Sequence, residues 1–367
     1  MYPLARAFLF RLDAERAHRL TLASLRAGQR LGMLRAARSA PAVAQQEQGG
    51  EAGRRLQREE QRGPPGGTQP RQWPQAVQLM GLSFTNRVGL AAGFDKDAVC
   101  VDALGALGFG FIEVGTLTPL PQSGNARPRV FRLPRARAVI NRMGFPNGGV
   151  AAACERLARR SFPGVCGVNI GKNAATPLER AADDYTAALK AVYAVADYIT
   201  INISSPNTQG LRTLQDGGQL RPLLAALLEE RAALAAVSGR RVPLVVKLSP
   251  DLSAEELAVT AEVISGLHLD GVIATNTTLA RTGVTGLPDA DRPGGLSGAP
   301  LLERSLDAVA KLRTLLGPGI PIIGVGGIAS AADARAMRAA GADLVQVYTG
   351  LIYRGPTLVR ELVAAGL

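Results

Sequence analysis

Residues 322–350 read IIGVGGIASAADARAMRAAGADLVQVYTG. Two short apolar runs, Ile322–Val325 and Leu344–Val347, are each followed by a turn that contains glycine. Short apolar runs bounded by turn signals are typical of buried strands, and strands that alternate with helices favour a parallel sheet. The stretch therefore predicts a strand, a helix and a second, parallel strand.

The same rhythm begins near residue 76 and supplies six more candidate strands. These are Val88–Ala92, Phe111–Gly115, Val165–Ile170, Tyr198–Ile203, Leu244–Leu248 and Gly271–Thr275. Eight parallel strands with intervening helices predict an α/β protein, a (β/α)₈ TIM barrel, whose active site forms at the carboxyl ends of the strands. The length of 367 residues leaves room for a small N-terminal helical appendage.

The N-terminal segment has a different pattern. Residues 1–37 predict two short helices, with Asp13 as the cap of the second. The apolar positions fall on one face of each helix, and they are Leu4, Phe8 and Leu12, then Leu20, Ala23 and Leu25. Arginines lie beside the apolar residues of the second helix, so the helix pair could lie on an anionic membrane surface. Alternatively, the two helices could pack as a hairpin on the barrel. We expect three units, with the helix pair at 1–40, a Gln-, Gly-, Pro- and Arg-rich linker at 41–75, and the barrel at 76–367.

Composition excludes several classes of site. The formal charge is +12, but residues 1–72 hold 13 arginines, no lysine and 6 acidic residues, so +7 lies in this N-terminal fifth. Only 4% of residues are aromatic and no nucleic-acid fold signature appears, so we expect no nucleic-acid partner. Two histidines and three widely spaced cysteines predict neither a metal site nor a disulfide framework. No run of 18 apolar residues and no secretory signal is present, which indicates a cytoplasmic protein.

Polar side chains stand at nearly every predicted strand end. They are Lys96, Thr116, Asn169, Asn202, Lys247, Thr275 with Asn276, Gly326 with Gly327, and Tyr348 with Thr349. A barrel held together by packing alone would not need amides and lysines at these positions. The Gly326-Gly327 and Thr349-Gly350 ends suit a phosphate group, although a glycine pair can also form a simple tight turn. Lys247 would be costly to bury alone, and it could face the N1/C2 edge of a flavin or form a structural salt bridge.

The stretch from Asn202 to Asn207, Asn-Ile-Ser-Ser-Pro-Asn, follows the fourth predicted strand. Asparagine side chains both donate and accept, which matches the alternating edge of a pyrimidine-like ring. Asn141 and Asn276 would extend that lining. Ser205 is our candidate base, but a serine hydroxyl needs a water-excluding site and an acidified C–H bond. Residues 208–213 have the glycine and the length of a closing loop.

Four motifs in this order resemble dihydroorotate dehydrogenase, in its class 2, quinone-reducing branch. They are Gly89–Lys96, Asn141–Phe145, Asn202–Asn207 and Gly324–Ile328, and the likeness covers residues 1–35 and 76–367. The resemblance implies oxidation of (S)-dihydroorotate to orotate in pyrimidine biosynthesis, with hydride passing from C6 to N5 of an FMN cofactor. Ser205 would remove the C5 proton.

The resemblance also implies which residues make contacts. Substrate contacts would be Lys96, Asn141, Arg142, Met143, Gly144, Phe145, Asn202, Asn207, Asn276 and Thr277. FMN contacts would be Ala92, Gly93, Phe94, Asp95, Lys96, Thr116, Asn169, Asn202, Lys247, Thr275, Gly298, Gly327, Tyr348 and Thr349.

The resemblance to class 2, and not to class 1, rests on two features. Class 1 enzymes place a cysteine where this chain has Ser205, and they lack the N-terminal helix pair. In class 2 the pair forms a tunnel for ubiquinone or menaquinone, which implies a monomer bound peripherally to the cytoplasmic side of the cell membrane. His18 is similar to a histidine beside that tunnel, although it could also be a plain surface residue. Residues 41–75 depart from the family, because they are longer and more polar than its usual connector.

Two other readings compete with this one. A different FMN barrel enzyme, such as a 2-hydroxy-acid oxidase or a dihydropyrimidine dehydrogenase-like protein, shares the fold. A hydroxy-acid oxidase needs a histidine near the flavin, and His268 precedes the sixth strand, at the wrong end of the barrel. A basic, non-catalytic nucleic-acid or membrane-binding module is the alternative from a different class.

Overall fold

A computed structural model describes residues 2–34 and 76–367. The first range contains two helices, α1 (Tyr2–Leu9) and α2 (Ala14–Arg30). Asp13 caps α2 as predicted, because its carboxylate accepts hydrogen bonds from the N–H groups of Glu15 and Arg16, both at 3.1 Å. The predicted linker at 41–75 lies outside the described residues, as do residues 35–40 of the predicted helical unit.

A short hairpin precedes the barrel. It consists of β1 (Val77–Leu79) and β2 (Leu82–Phe84), which pair antiparallel. Phe84 is fully buried and packs edge to face on Phe111, with ring centroids 5.3 Å apart. Phe111 begins a barrel strand, so the hairpin closes the amino-terminal end of the barrel and leaves the opposite end for a ligand.

Eight parallel strands form a closed barrel, which confirms the predicted fold. In chain order they are β3 (Val88–Leu90), β4 (Phe111–Leu117), β7 (Val165–Ile170), β8 (Tyr198–Asn202), β9 (Leu244–Leu248), β10 (Gly271–Ala274), β12 (Ile322–Val325) and β13 (Leu344–Val347). Every predicted strand is present, and each boundary agrees within two residues. The barrel strands are buried on both faces, so they appear in the sequence as largely apolar runs.

Helices surround the barrel. They are α3 (Val101–Gly105), α4 (Gly149–Leu157), α5 (Ala181–Val192), α6 (Gly217–Ser238), α7 (Ala254–Gly266), α8 (Leu302–Leu316), α9 (Ala331–Ala339), α10 (Thr349–Arg354) and α11 (Pro356–Ala364). Ser253 begins α7 with a capping box, in which its hydroxyl accepts from Glu256 N–H and the Glu256 carboxylate accepts from Ser253 N–H. Within 2–34 and 76–367, no helix combines the length and the apolar character needed to cross a bilayer.

A second sheet lies at the carboxyl end of the barrel. It contains β5 (Val130–Leu133), β6 (Ala138–Asn141) and β11 (Gly295–Gly298), all antiparallel. Its register places Gly295 opposite Asn141, so residues from distant parts of the sequence meet over the barrel mouth. The pattern of barrel strands did not predict this sheet, because its members are short and lie inside loops.

The helix pair packs against the barrel. Tyr2 donates from its hydroxyl to Ile352 O, and Gln29 donates to Asp102 at 3.3 Å. Leu25 packs on the barrel core, whereas Leu20 is 42% exposed. The predicted apolar face of α2 is therefore divided between the barrel and the surface. The residues of α2 that are buried are Ala17 and Gly28 instead.

Candidate active site

A cavity of about 980 Å³, including space open to solvent, lies at the carboxyl end of the barrel. It collects the residues predicted at the strand ends. Those that line it are Ala92, Gly93, Lys96, Thr116, Asn141, Met143, Gly144, Phe145, Asn202, Ser205, Asn207, Lys247, Thr275, Asn276, Thr277, Gly298, Gly327, Tyr348 and Thr349. The structure therefore brings 19 predicted site residues together around one space.

Asn202 connects the polar side chains at the floor of the cavity through hydrogen bonds. Its Nδ2 donates to Thr116 Oγ1 at 3.0 Å and to Asn169 Oδ1 at 3.1 Å. Its Oδ1 accepts from Ser204 Oγ at 3.2 Å and from Asn276 Nδ2 at 3.4 Å. All four hydrogen bonds fix the orientation of this amide. The floor is therefore an ordered polar network and not a set of independent side chains.

A second pair of amides lines the same cavity. Asn207 Nδ2 donates to Asn141 Oδ1 at 3.2 Å, although 66 residues separate them in the sequence. Asn141 ends β6, and Asn207 follows β8. The small antiparallel sheet and the barrel thus each supply one member of the pair. Together with Asn276, these side chains offer donors and acceptors to a flat, polar ring.

Ser205 is buried, with 5% of its surface exposed, and it lines the same cavity. Its Oγ accepts a hydrogen bond from Asn207 N at 3.2 Å. No carboxylate or imidazole among the described residues forms a hydrogen bond with Ser205 Oγ. A Ser-His-Asp relay is therefore absent from this part of the chain, as the histidine count predicted. His268 precedes β10 at its amino-terminal end, away from the cavity.

Glycines shape one end of the cavity. Gly326 and Gly327 have φ values of +129° and +79°. A Cβ atom on Gly327 would lie 2.5 Å from the backbone of Leu302, so a side chain does not fit. Within the described ranges, no acceptor takes the N–H groups of these two glycines. Open backbone donors in a glycine turn fit a phosphate group, in the position after the seventh and eighth strands.

Lys247 is the second feature that fits a bound anionic group. It is 6% exposed and lines the cavity, and no side chain or carbonyl of residues 2–34 or 76–367 accepts a hydrogen bond from its Nζ. Burial lowers the pKa of Lys247, and the nearby Glu113 carboxylate partly offsets that effect. The alternative of a structural salt bridge is not observed for Lys247 within the described residues. A buried ammonium without a direct partner fits a cofactor ring that carries partial negative charge.

Lys96 lies at the border of the cavity. Its Nζ donates to Gly93 O at 2.7 Å. Burial, and then the Arg129 guanidinium, lower the pKa of Lys96 to about 8. The side chain is therefore still largely protonated at neutral pH and can hold an anionic substituent.

Four predicted contacts have side chains that do not line the cavity. Asp95 accepts from Val99 N at 2.8 Å and from Cys100 N at 2.7 Å, so it orders its own loop, and burial raises its pKa to about 6. Arg142 donates to Pro128 O at 2.9 Å and extends away from the cavity. Asn169 lies beneath the floor, and Phe94 faces the N-terminal helices. Their roles as ligand contacts stay predictions.

The prediction missed several lining residues and one residue below the floor. Ser297, Leu301 and Gln346 line the cavity, and Glu113 lies under it, fully buried. Glu113 interrupts the apolar run Phe111–Gly115, and a charged residue inside a buried strand was the available signal. Leu301 and Ser297 belong to segments with no strand-end pattern, so they gave no such signal.

A second cleft, of about 1900 Å³ including open space, is lined by residues of both the helix pair and the barrel. It shares five lining residues with the first cavity, namely Lys96, Asn141, Met143, Ser297 and Tyr348.

His18 lines the cleft. Its ring packs edge to face on Phe94 at 5.1 Å, and Phe94 packs on Tyr348 at 5.8 Å. Burial, and then Lys96, lower the pKa of His18 to about 4. His18 is therefore a partly buried cleft residue and not a plain surface histidine.

Comparison with known proteins decides the family. Residues 75–365 match the family described as dihydroorotate dehydrogenase. The chain belongs to the dihydroorotate dehydrogenase family. It is 52% identical, over all of its length, to proteins named dihydroorotate dehydrogenase (quinone) from Paraburkholderia phymatum and Chromobacterium violaceum, and it covers 97% of each. These relatives place it in the class 2 branch of the family.

Solved structures of the family share the fold. A DHODH from Eimeria tenella in complex with ferulenol is 40% identical, with a TM-score of 0.76 over 82% of this chain and 85% of that one. The ligand-free form from the same organism is 41% identical, with a TM-score of 0.76 over 82% of this chain and 89% of that one. Dihydroorotate dehydrogenases are flavin-dependent oxidoreductases, so the predicted fold, family and enzyme class are confirmed.

Proposed function

We propose that this chain oxidises (S)-dihydroorotate to orotate in de novo pyrimidine biosynthesis and passes the two electrons to a quinone. One observation carries the proposal most directly. A buried serine, a set of asparagine amides and a buried lysine share a single cavity at the carboxyl end of the barrel, and the lysine has no hydrogen-bond partner among the described residues. The names of relatives at 52% identity support the same reaction.

FMN is the flavin that best fits the donor set. Gly326, Gly327, Thr349 and Gly350 would hold a single phosphate, and Lys247 would supply a cation to the ring system. When bound, the flavin supplies the acceptor for the hydride that leaves C6 of the substrate. The role of the chain is to place the two molecules together and to hold water out.

The amide set would bind the pyrimidine ring. Asn141, Asn207 and Asn276 present both N–H donors and carbonyl acceptors to the cavity. A ring with alternating N–H and C=O groups can satisfy each of them, while a ligand without such groups would leave buried amides unpaired. Lys96 would hold the carboxylate of dihydroorotate. These four contacts would fix the face of the ring that Ser205 meets.

Ser205 would accept the proton from C5. The adjacent ring carbonyl acidifies this position, which lowers the demand on a weak base. The burial of Ser205 limits competition from bulk solvent. As Oγ takes the C5 proton, its own hydroxyl proton would pass to a relay water molecule, and the hydrogen bond from Asn207 N–H at 3.2 Å would hold Oγ in place. Residues 208–213 continue directly from this turn, and they would close over bound substrate.

The second cleft would admit the quinone. Its lining is mainly apolar, and five of its residues also border the first cavity, so an apolar ring in the cleft would approach the flavin. His18 is neutral at physiological pH, because its pKa lies near 4. A neutral imidazole can donate to a quinone carbonyl without adding charge to an apolar tunnel. Ubiquinone and menaquinone both have the chemistry that this cleft accepts.

The helix pair would place the mouth of the cleft at a membrane. Leu4 is 79% exposed and Phe8 is 56% exposed on α1, and Arg16, Arg19 and Arg26 are exposed on α2. Exposed apolar side chains beside arginines fit the surface of an anionic bilayer. We place the enzyme peripherally on the cytoplasmic side of the cell membrane. It would act as a monomer, since the described residues of one chain line both spaces.

An absorbance measurement tests the proposal. The purified full chain should show a flavin spectrum, and anaerobic (S)-dihydroorotate should bleach it. Adding a ubiquinone analogue should restore the oxidised spectrum. A colourless protein, or a flavin that dihydroorotate does not bleach, would contradict the proposed reaction.

A further inference from the structure

Arg212 links three loops next to the proposed active site. It lies on the short 3₁₀ helix Leu211–Gln215, a few residues after Ser205. Its Nε donates to Ser204 O at 3.1 Å, its Nη2 donates to Thr277 O at 2.8 Å, and its Nη1 donates to the Asp251 carboxylate at 2.8 Å. These three acceptors follow β8, β10 and β9, so one guanidinium joins the ends of three barrel strands.

The two carbonyls belong to two neighbouring segments that border the pyrimidine pocket. Ser204 immediately precedes the proposed base, and its Oγ accepts from Asn276 Nδ2 at 3.0 Å. Thr277 immediately follows Asn276 and lines the cavity. Arg212 itself does not line the cavity, so it contacts both segments from outside the pocket.

Asp251 anchors the guanidinium from the far side. Its carboxylate also accepts from Leu279 N at 2.8 Å and from Thr278 Oγ1. Burial acts to raise the pKa of Asp251, but hydrogen bonds from Thr278 and Leu279 and the Arg212 cation hold it below its ordinary value. Asp251 is therefore ionised throughout the neutral range. The pair is about one-fifth exposed on each side, so solvent weakens but does not remove the attraction.

The geometry points to Arg212 as a positioning residue that holds Ser205 at the correct distance from the substrate carbon. This inference rests on the proposed function, because it requires Ser205 to be the base. A planar guanidinium can satisfy two carbonyls and a carboxylate at fixed angles, which a flexible ammonium cannot do. A weak base depends strongly on placement, and an error of about 1 Å can cost roughly 10²-fold in rate.

The same contacts hold the last part of the closing loop, residues 208–213, next to Ser204. Ser204 lies before the loop and Arg212 lies within its last part, and the two are joined by the 3.1 Å hydrogen bond. Motion of residues 208–211 therefore need not displace Arg212 or Ser204. Closure can exclude water without moving the residue that precedes the base.

Three variants test this inference on the full-length holoenzyme. Arg212→Ala removes all three contacts, Arg212→Lys keeps the charge but loses the planar fork, and Asp251→Asn weakens the anchor. We expect flavin reduction by anaerobic dihydroorotate to slow by roughly 10–10²-fold in both Arg212 variants. FMN content should stay at the wild-type level. The isotope effect with substrate deuterated at C5 should rise, because proton removal becomes slower.

A matched control is available at the other end of the barrel. Arg231 donates to Asp270 at 2.7 Å, and Asp270 accepts from Leu244 N at the start of β9. Arg231→Ala removes a comparable ion pair far from the cavity. It should lower the temperature of unfolding without changing the rate of flavin reduction or the C5 isotope effect.

The outcomes separate the inference from the proposed function. If the wild type is not bleached by dihydroorotate, the proposed function fails. If the wild type is bleached and the Arg212 variants reduce flavin at the wild-type rate, the positioning role fails. An unchanged C5 isotope effect in slow Arg212 variants would also overturn it, because it would show general weakening of the fold. If Arg212→Ala does not fold, Arg212→Lys and Asp251→Asn decide by the same two readouts.

Discussion

Asn169 Nδ2 donates to the buried carboxylate of Glu113 at 2.8 Å, directly beneath the floor of the active-site cavity. Tyr198 OH and Gln346 Nε2 also donate to Glu113, both at 2.9 Å. Because Asn169 gives its N–H group to Glu113, its carbonyl must face upward, where it accepts from Thr116 and Asn202. A fully buried carboxylate thus fixes the orientation of the amide floor.

Replacing Glu113 with glutamine should disturb this floor. The new NH₂ group would face one of three donors, so at least one buried group would lose its partner. We expect Glu113→Gln to lower the free energy of unfolding by about 1–3 kcal/mol and to reduce FMN content. Urea unfolding followed by circular dichroism, with FMN released and counted by absorbance, measures both.

Thr200→Val is the matched control for that change. Thr200 is fully buried on β8, and its Oγ1 has no hydrogen-bond partner among the described residues. Valine has nearly the same shape and removes the unpaired hydroxyl, so stability should stay constant or rise. If both variants behave alike, Glu113 does not organise the floor.

The role of Lys247 leads to a prediction about cofactor retention. Lys247→Ala removes the unpartnered ammonium, and the dissociation constant for FMN should rise by about 10–10²-fold, as for loss of a charged hydrogen bond. Titration of the flavin-free protein with FMN measures this. Lys190→Ala is the control, because Lys190 is exposed and pairs with Glu230 on the outer helices. Equal affinities for FMN in both variants would contradict the role of Lys247.

The helix pair leads to a prediction that separates the two half-reactions. A chain without residues 1–37 should keep dihydroorotate-dependent bleaching, since the first cavity is lined entirely by later residues. Reoxidation by a ubiquinone analogue should be lost, because the helices form one side of the second cleft. Stopped-flow absorbance measures both steps. Reoxidation of the truncated chain at the wild-type rate would show that the quinone enters elsewhere.

His18 predicts a pH dependence of stability. Its pKa is lowered from 6.5 to about 4 in the folded protein, so the folded state binds the proton less well than the unfolded state. The stabilising contribution is therefore complete above pH 6.5 and is lost as pH falls toward 4. The total is on the order of 3 kcal/mol.

The variant His18→Phe keeps the aromatic contact with Phe94 and cannot titrate. Its free energy of unfolding relative to the wild type should increase as pH falls from 7 to 4. Urea unfolding at several pH values measures the difference. A difference that does not change with pH would show that His18 is not held neutral by the fold.

The barrel was predictable because its strands are buried on both faces. Runs such as Ile322–Val325 are apolar throughout, and the residue after each run must lie at one end of the barrel. The positions of Lys247, Thr275 and Asn202 at strand ends therefore predicted that these residues lie close together, before any contact was known. The same pattern thus predicted both which residues belong to the site and that they lie together at the carboxyl end of the barrel.

Other features required the three-dimensional structure. The pairing of Asn141 with Asn207 depends on a small sheet whose strands carry no strong pattern. The direction of Arg142 depends on a carbonyl at Pro128 that no local rule selects. The two amides of its own loop that donate to the Asp95 carboxylate were also not predicted, and the contact of Asp95 with the flavin stays a prediction. The contacts of Asn141 and Arg142 are long-range hydrogen bonds, and spacing along the chain does not encode them.

The central claim is that Ser205 removes the C5 proton, and the rate of flavin reduction in Ser205→Ala tests it most directly. The measurement mixes FMN-loaded protein with anaerobic (S)-dihydroorotate and follows the flavin absorbance. Ser123→Ala, an exposed serine outside the cavity, serves as the control. We predict reduction slower by roughly 10²–10⁴-fold in Ser205→Ala, with FMN content unchanged and the control at the wild-type rate. Reduction of Ser205→Ala at the wild-type rate would contradict the assignment.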